Sequence, residues 1–397
     1  MCPNNKIFCQ LNHTVLNTIL LVSLSTILCS SSILPILALY VADTTCIKYE
    51  PDNKEIKVTC KSVHLHDVYK QLNDESILSR QSNKGVWLLN GNMAIANGAT
   101  LLIDASDTTW LKINSDGIHA YGIRIFGSLK IDSVKITSWN SATNDYASID
   151  TEAKTPRPFI RIERNATGTT NITNSEIAYL GYNETQRKGI NYYSGNGSVL
   201  RGNNIHHLYF GAYLTKVGNI LIENNDLHHN VHYGIDPHTR INNMIIRNNT
   251  VHDNGGQGII CSLDCYNIVI ENNQVYSNTA AGIMFSRNMQ NSTARENNIH
   301  NEDIAIFVSA SHYNKIYNNT VSNSRAGIYL KSGSHDNSIY NNTIVNPKST
   351  GLHVNTGASK NMFYSNTIIN APENRSIFVE EDSKTKANIF EHNKFLY

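Results

Sequence analysis

Short segments in which apolar and polar residues alternate recur along most of the 397-residue chain. Alternation with a period of two is typical of β-strands that have one buried face. In the most regular part, one strand ends in a pair of asparagines, a turn follows, and a second strand begins with glycine. Examples of the first strand are NILIENN, NMIIRNN and NIVIENN, and examples of the second are GIICS, GIMFS and GIYLK. Successive repeats are roughly two dozen residues apart, a period typical of solenoid proteins.

The repeats predict a parallel β-helix, an all-β solenoid in which each coil stacks on the next. We expect each corner asparagine to stack on its counterpart in the following coil and to satisfy corner backbone that lacks sheet partners. The asparagine pairs lie at 203–204, 224–225, 248–249, 272–273, 297–298, 318–319 and 341–342.

The leading glycine of the second strand predicts which side chains face outward. Residues one and three positions after it are nearly all apolar and are expected in the core. Residues two and four positions after it form two outward columns, one rich in aromatic and apolar groups and one polar. Such a surface suits a sugar chain that lies along the solenoid axis, and we expect Tyr213, Ser262 and Lys331 to bind substrate there.

The segment YGIDPHTR, residues 233–240, departs from this pattern. Proline cannot donate to a sheet ladder and is normally confined to edges and bulges, yet Pro237 occupies an inward strand position. Asp236 and His238 flank it and point outward. Among the glycine-led strands between residues 189 and 355, this strand alone combines an outward carboxylate with an outward imidazole. Local rules break most often at functional sites, so we predict a site here rather than a solvated bulge.

The amino-terminal segment predicts export. Residues 14–42 contain no charged side chain and follow a short region containing Lys6, which is typical of a secretory signal peptide or an uncleaved membrane anchor. We therefore expect a secreted or cell-surface protein, attached to the membrane if the anchor is kept. The predicted organisation is a signal or anchor at 1–42, a small region or cap at 43–84, and the β-helix at 85–397.

Composition limits the classes of partner and cofactor that the protein is expected to bind. The formal net charge is +1, which argues against a general nucleic-acid binder. In an oxidising compartment, Cys46 with Cys60 and Cys261 with Cys265 are candidate disulfide pairs, and a buried free thiol is the alternative for Cys261. Histidines recur one per coil at 206, 228, 252 and 300 and are interpreted as a structural ladder, because a catalytic metal needs convergent ligands. We expect a monomer without metal or cofactor.

The YGIDPH motif and the GIICSLDCYN and GIMFSRN strands after it resemble those of the mannuronan C5-epimerases. The resemblance is clearest over residues 189–331 and implies a right-handed, single-stranded parallel β-helix. It also implies inversion at C5 of β-D-mannuronate within a polyuronate, giving α-L-guluronate. By the same resemblance, Tyr233, Asp236 and His238 line the catalytic site.

The implied chemistry needs a base on one face of the sugar and a proton donor on the other. Either His238 or Tyr233 is the base, and the other residue or a water reprotonates C5. Asp236 either orients His238 or, when protonated, hydrogen-bonds to the substrate carboxylate.

Charge on that carboxylate must also be neutralised as the C5 proton leaves. Bacterial periplasmic members of the family carry an arginine one coil after the motif, where this chain has Leu263. Arg287, at the same place one coil further on, is expected to take this role from roughly 10 Å away, since rungs are about 4.8 Å apart. Lys216 and Arg240 are the competing cations, and both are also expected to bind substrate.

Two other functions use the same features. A polysaccharide lyase begins with the same proton abstraction but expels the C4 oxygen, and a non-catalytic β-helix binds glycans without turnover. The combination of tyrosine, aspartate and histidine favours the epimerase.

Overall fold

The computed structural model describes residues 45–331, 333–380, 382 and 387–397. These residues form a right-handed parallel β-helix, in which each regular coil contributes one strand to each of three long sheets. The predicted fold class is confirmed. The predicted signal segment at 1–42 lies outside the described residues. No helix of the described part is long and apolar enough to cross a membrane.

The first sheet, here called the groove sheet, contains the strands Ile47–Glu50, Glu55–Val58, Asn92–Ile95, Gly122–Ile125, Phe159–Ile162, Gly189–Tyr192, Phe210–Thr215, Ile235–Thr239, Ile259–Cys261, Ala281–Ser286, Ile304–Ser309, Ala326–Leu330, Thr350–Val354 and Ile377–Val379. The second sheet contains Val63–His64, Thr100–Asp104, Ser128–Asp132, Thr170–Thr173, Val199–Arg201, Leu221–Glu223, Asn242–Arg247, Tyr266–Glu271, Thr293–Arg295, Lys315–Tyr317, Ser338–Tyr340, Met362–Tyr364 and Ile389–Glu391. The third sheet contains Leu78–Arg80, Val86–Leu89, Trp110–Asn114, Lys135–Trp139, Glu176–Ala178, Asn204–His206, Asp226–His228, Thr250–His252, Gln274–Tyr276, Asn298–His300, Thr320–Ser322, Thr343–Val345, Thr367–Ile369 and Lys394–Leu396.

The amino-terminal end of the described chain closes the solenoid with a helix and two antiparallel strand pairs. A 3₁₀ turn, Pro51–Asn53, separates the strands of the first pair, and a disulfide joins Cys46 to Cys60. The α-helix Leu65–Leu72 buries two side chains, Leu65 and Val68, and so covers the open end of the core. Because Glu55–Val58 already pairs in parallel with Asn92–Ile95, the regular sheets reach back into this region. The domain boundary at residue 84 stays a prediction.

The core of the groove sheet is a column of aliphatic side chains that stack coil upon coil. Ile235 pairs with Ile259, and the column continues through Ile283 and Ile306 to Ile328. All five side chains are buried. Stacking identical branched side chains at the 4.8 Å rung spacing fills the interior, and each fully buried isoleucine contributes about 1.5–3 kcal/mol. The inward register predicted from the glycines is therefore confirmed for this column.

Asparagine ladders hold the corners. Asn249 shows the pattern: its backbone N–H and side-chain Nδ2 donate to Oδ1 of Asn273 in the next coil, and Nδ2 also donates to the carbonyl of Ile222 in the preceding coil. In most pairs the first asparagine adopts a positive φ, as Asn248 does at 54°, and the second joins the ladder. Residues of this ladder are buried, so the amide groups replace water at corner backbone.

Candidate active site

One cleft in the groove sheet contains all four residues predicted to be catalytic. It has a volume of ≈ 440 Å³, and it is lined by Lys188, Phe210, Tyr213, Tyr233, Asp236, His238, Gln257, Ile260, Ser262, Met284, Ser286 and Arg287. Six of these residues were predicted from sequence as site residues.

A β-bulge explains how the strand accepts its proline. Tyr213 lies opposite Asp236 and Leu214 opposite Pro237, but Thr215 lies opposite Thr239. One extra residue, His238, is therefore inserted in this strand relative to its neighbour. The simple alternation used for the sequence, which placed His238 opposite Thr215, is wrong at this point. A bulge re-aims a side chain and disturbs the ladder locally, which suits both the proline and a functional imidazole.

Asp236 is fully buried although it belongs to an outward column. Its Oδ1 accepts a hydrogen bond of 3.0 Å from Oγ of Ser262, and its Oδ2 has no hydrogen-bond partner among the described residues. Burial raises the pKa of Asp236 to about 8, against the opposing effects of the Ser262 hydrogen bond and the Arg287 charge. The carboxyl is therefore mostly protonated at neutral pH and has a hydrogen to donate.

His238 is held by its neighbour in sequence. Its Nδ1 lies 2.6 Å from Oγ1 of Thr239, and its ring packs against that of Tyr213 with centroids 5.2 Å apart. Burial, followed by the positive charges of Arg287 and Lys188, lowers its pKa below the ordinary histidine value. The imidazole is accordingly neutral at neutral pH, and its Nε2 is the nitrogen not bonded to Thr239. No described hydrogen bond joins His238 to Asp236, so Thr239 rather than Asp236 orients the ring.

Tyr233 occupies the corner that precedes the strand Ile235–Thr239. Its ring stacks on Phe210 with centroids 5.0 Å apart. Gly256 in the next coil makes room for it, since a Cβ there would lie 2.8 Å from ring carbons of Tyr233. Burial and the carboxyl of Asp236 raise the pKa of the phenol. Tyr233 is therefore protonated in the resting site and is a proton donor rather than a resting base.

Arg287 reaches back toward the motif. Its Nε donates a hydrogen bond of 2.8 Å to the carbonyl of Ser262, the residue whose hydroxyl binds Asp236. Its positive charge lowers the pKa values of Tyr233, Asp236 and His238. The guanidinium thus lies within electrostatic reach of all three groups, although its own strand is two rungs away.

A second cavity of ≈ 420 Å³ adjoins the cleft, because Tyr213 and His238 line both. Lys216 and Arg164 line this second cavity. Of the other predicted cations, Arg240 is exposed and lies 3.9 Å from Asp264, outside both linings. Lys331 is four rungs from His238, about 19 Å along the sheet, and also lies outside them. Substrate binding by Arg240 and Lys331 stays a prediction.

Sequence reasoning missed several residues of the cleft. Lys188, Phe210 and Gln257 each directly precede the leading glycine, and the outward-column rule covers only residues after that glycine. Thr239 was missed because the bulge moves it next to the imidazole. The one available signal for Phe210 was its position one residue before Gly211, the same place that Tyr233 holds before Gly234.

The histidine column forms the structural ladder expected of it. Rings of His206, His228, His252, Tyr276 and His300 stack at centroid distances of 4.7–5.0 Å.

Another set of groups has the donor types of a metal site. Ligand atoms of His64, Asp104 and Asp107 lie within 4.8 Å of one another near the amino-terminal helix. This group is remote in sequence from the cleft and was not predicted.

Comparison with known proteins supports the fold. A family model described as the right handed beta helix region matches residues 157–284, and one described as periplasmic copper-binding protein (NosD) matches residues 260–394. Each match covers less than half of the chain. No curated protein matches.

Among solved structures, the chain is similar to the periplasmic alginate epimerase AlgG, with a TM-score of 0.71 and 20% identity over 86% of this chain and 85% of that one. It is also similar to the A-module of the Azotobacter vinelandii mannuronan C-5 epimerase AlgE6, with a TM-score of 0.54 and 16% identity over 79% and 89%. The Dettilon tailspike protein gives a TM-score of 0.61 and 19% identity over 76% and 62%. At these identities the likeness establishes the shared parallel β-helix fold.

Proposed function

We propose that the protein is a polyuronate C5-epimerase that converts β-D-mannuronate residues to α-L-guluronate within the polymer. The observation that carries the proposal is the set of groups in the cleft. A neutral imidazole, a protonated phenol and a buried carboxyl with a free oxygen all line one cavity beside a guanidinium. Proton abstraction α to a carboxylate needs these groups: a base, an acid and a means of stabilising enolate charge. AlgG and AlgE6, which share the fold, are epimerases, and this is consistent with the assignment.

In the proposed reaction, Nε2 of His238 takes the C5 proton, and the electrons of the broken C–H bond move into the carboxylate. Protonated Asp236 donates through Oδ2 to one carboxylate oxygen, and Arg287 balances the second negative charge. Tyr233 then donates its hydroxyl proton to the opposite face of C5. Transfer of the proton from His238 through solvent to Tyr233 restores the resting state. Because the pKa of His238 is lowered and that of Tyr233 is raised, the imidazole is free to accept a proton and the phenol still has one to donate. These shifts favour His238 as the base and Tyr233 as the proton donor over the opposite assignment.

The charges around the cleft suit a polyanion. Among the residues that line the cleft and the adjoining cavity, Lys188, Arg287, Arg164 and Lys216 are cationic, and Asp236 is the one carboxyl. The column of Asp236 also continues through Tyr213 and Asn191 to two further arginines, at 161 and 124. Arg124 and Arg161 are ion-paired with Glu55 and Glu163, so the cations available to a chain of uronates are those of the cleft and the adjoining cavity. For such a polymer to reach the enzyme, export through the amino-terminal segment is part of the proposal.

Incubation of purified protein with polymannuronate tests the proposal. Proton NMR of the product should show guluronate that accumulates with time at constant chain length. A lyase would instead produce unsaturated chain ends and shorter chains, and a glycan-binding protein would leave the polymer unchanged. Either of those results contradicts the epimerase assignment. His238→Ala, checked for retained β-structure by circular dichroism, is the matched inactive control.

A further inference from the structure

We propose that a second, separate cavity at the corner between the third sheet and the groove sheet binds a small carboxylic acid through Arg157. The cavity has a volume of ≈ 290 Å³ and shares no lining residue with the cleft or the cavity adjoining it. Tyr179, His207 and His229, which line it, each follow directly after a strand of the third sheet. The proposal does not depend on the function proposed for the cleft.

Arg157 is the reason to expect an anion. Its side chain belongs to a residue only 1% exposed. Nε donates to the carbonyl of Gly181, and Nη2 donates to the carbonyls of Leu180 and His207. These three backbone acceptors fix the plane of the guanidinium. Nη1 has no hydrogen-bond partner among the described residues, and no described carboxylate lies within ion-pair distance of Arg157.

Burying a guanidinium of this kind destabilises the folded state unless a counter-charge is buried with it. Burial lowers the pKa of Arg157 to about 10, so the side chain still carries its charge at neutral pH. Neutral carbonyls use three of the five N–H donors but do not balance the charge. A ligand oxygen at Nη1 would supply both the missing acceptor and the missing negative charge.

The side chains that line the cavity indicate the chemical character of the uncharged part of the ligand. Tyr146 stacks on Tyr179 at 4.2 Å, Tyr179 on His207 at 4.9 Å, and His207 on His229 at 5.5 Å, all nearly parallel. Burial lowers the pKa of His207 to about 4, so this ring adds no charge. Tyr179 and His207 have both ring faces covered by their neighbours in this stack, so they meet a ligand with their edges, which pack against the C–H groups of a sugar or an aliphatic chain. The volume is sufficient for one sugar ring.

A singly charged anion suits this site better than a doubly charged one. Arg157 contributes a positive charge that no ion pair among the described residues neutralises, and Asp145, elsewhere in the lining and beyond ion-pair distance, contributes a negative charge that repels anions. A carboxylate therefore fits better than a phosphate, which carries up to two negative charges and would be repelled more strongly by Asp145. We accordingly commit to the carboxylate of a sugar-sized acid as the ligand.

Direct substitution of Arg157 risks the fold, because the side chain ties together three backbone carbonyls. Two surface variants of the same lining avoid this problem. Ser148→Asp adds a second negative charge at an exposed position, and Asp145→Asn removes the existing one. Neither residue contacts the cleft, so turnover of polymer is expected to stay at the wild-type level in both.

Titration of the full-length protein with sodium glucuronate, followed by ligand-observed NMR, tests the proposal. We expect saturable binding of glucuronate, none of glucose at the same concentration, about tenfold weaker binding in Ser148→Asp, and tighter binding in Asp145→Asn. Equal responses to glucuronate and glucose, or glucuronate affinity that is the same in both variants, would overturn the site and leave Arg157 a purely structural residue. Tighter binding of inorganic phosphate than of glucuronate would overturn the choice of a carboxylate.

Discussion

The hydroxyl of Ser262 donates a hydrogen bond of 3.0 Å to Oδ1 of Asp236, and no described group bonds to Oδ2 of the same carboxyl. Serine one rung further along thus fixes the orientation of the carboxyl and satisfies one oxygen. Because burial raises the pKa of Asp236 to about 8, the other oxygen carries a proton at neutral pH. An O–H that is buried and unpaired in the free protein lacks a hydrogen bond that a substrate oxygen would supply on displacing the atoms that cover it.

The first prediction concerns the protonation of Asp236. The protonated form is the active one in our account, so wild-type kcat/KM should fall as pH rises through about 8. Asp236→Asn keeps a hydrogen-bond donor that does not titrate, and it should retain activity within about tenfold at pH 7 and lose this alkaline decline. Asp236→Ala, which has no donor, should be about 10²–10³-fold slower. A wild-type activity that instead increases through pH 8 contradicts the assignment.

Arg287 should act mainly in the transition state. If it balances charge that develops on the carboxylate, Arg287→Ala lowers kcat by about 10²–10³-fold. If it only holds a neighbouring uronate, KM rises and kcat stays constant. Steady-state kinetics distinguish a fall in kcat from a rise in KM. Lys315→Ala, on the second sheet, is the control for loss of a surface cation. Recovery of activity in Leu263→Arg with Arg287→Ala would show that both rungs serve one carboxylate.

Thr239 should behave as a positioning residue. Its hydroxyl lies 2.6 Å from Nδ1 of His238 and leaves Nε2 to face the substrate. Thr239→Val keeps the shape of the side chain but removes this bond, so kcat should fall about tenfold with KM little changed. Thr239→Ser should restore the rate, because it returns the hydroxyl. A valine variant with unchanged kcat and pH profile would show that the bond does not orient the base.

The repeating part of the fold was predictable because its signals are local. Each coil repeats an asparagine, a turn and a glycine-led strand, and side-chain alternation then determines which residues are buried. The ladder through Asn230, Asn254 and Asn278 was overlooked, since these asparagines are isolated in sequence and only their spacing of 24 residues relates them.

The residues of the candidate site could be named from the sequence, but their arrangement could not be predicted. The YGIDPH motif marks Tyr233, Asp236 and His238. The bulge that inserts His238, however, depends on pairing with the preceding coil, and alternation along one strand contains no information about it. The burial of Asp236 likewise follows from neighbouring coils, so its raised pKa could not be inferred from an outward strand position.

Glu302 offers a prediction about stability. It takes the place of asparagine at the end of the ladder through Asn230, Asn254 and Asn278. Its Oε1 accepts a hydrogen bond of 2.8 Å from Asn278, and its Oε2 has no partner among the described residues. Burial raises its pKa to about 8. The folded state therefore keeps a proton that the unfolded state has lost, and stability falls by up to about 1.4 kcal/mol per pH unit between pH 5 and 8.

Glu302→Gln should remove this contribution to the slope. Denaturant unfolding at several pH values measures it, and the variant should gain stability relative to wild type as pH rises. At pH 4, where the carboxyl is protonated in most of both states, the difference should be smallest. Parallel pH profiles for the two proteins would contradict the assigned protonation.

The most direct test of the account is the fate of the C5 hydrogen when polymannuronate is incubated with the protein in heavy water. Wild type should produce guluronate that carries deuterium at C5, with no unsaturated ends. Tyr233→Phe lacks the opposite-face donor but keeps His238, so it should exchange deuterium into C5 of mannuronate without inversion, while His238→Ala should neither exchange nor invert. Guluronate formed without deuterium would contradict reprotonation of C5 by the exchangeable hydroxyl of Tyr233, and exchange that persists in His238→Ala would contradict proton abstraction by His238.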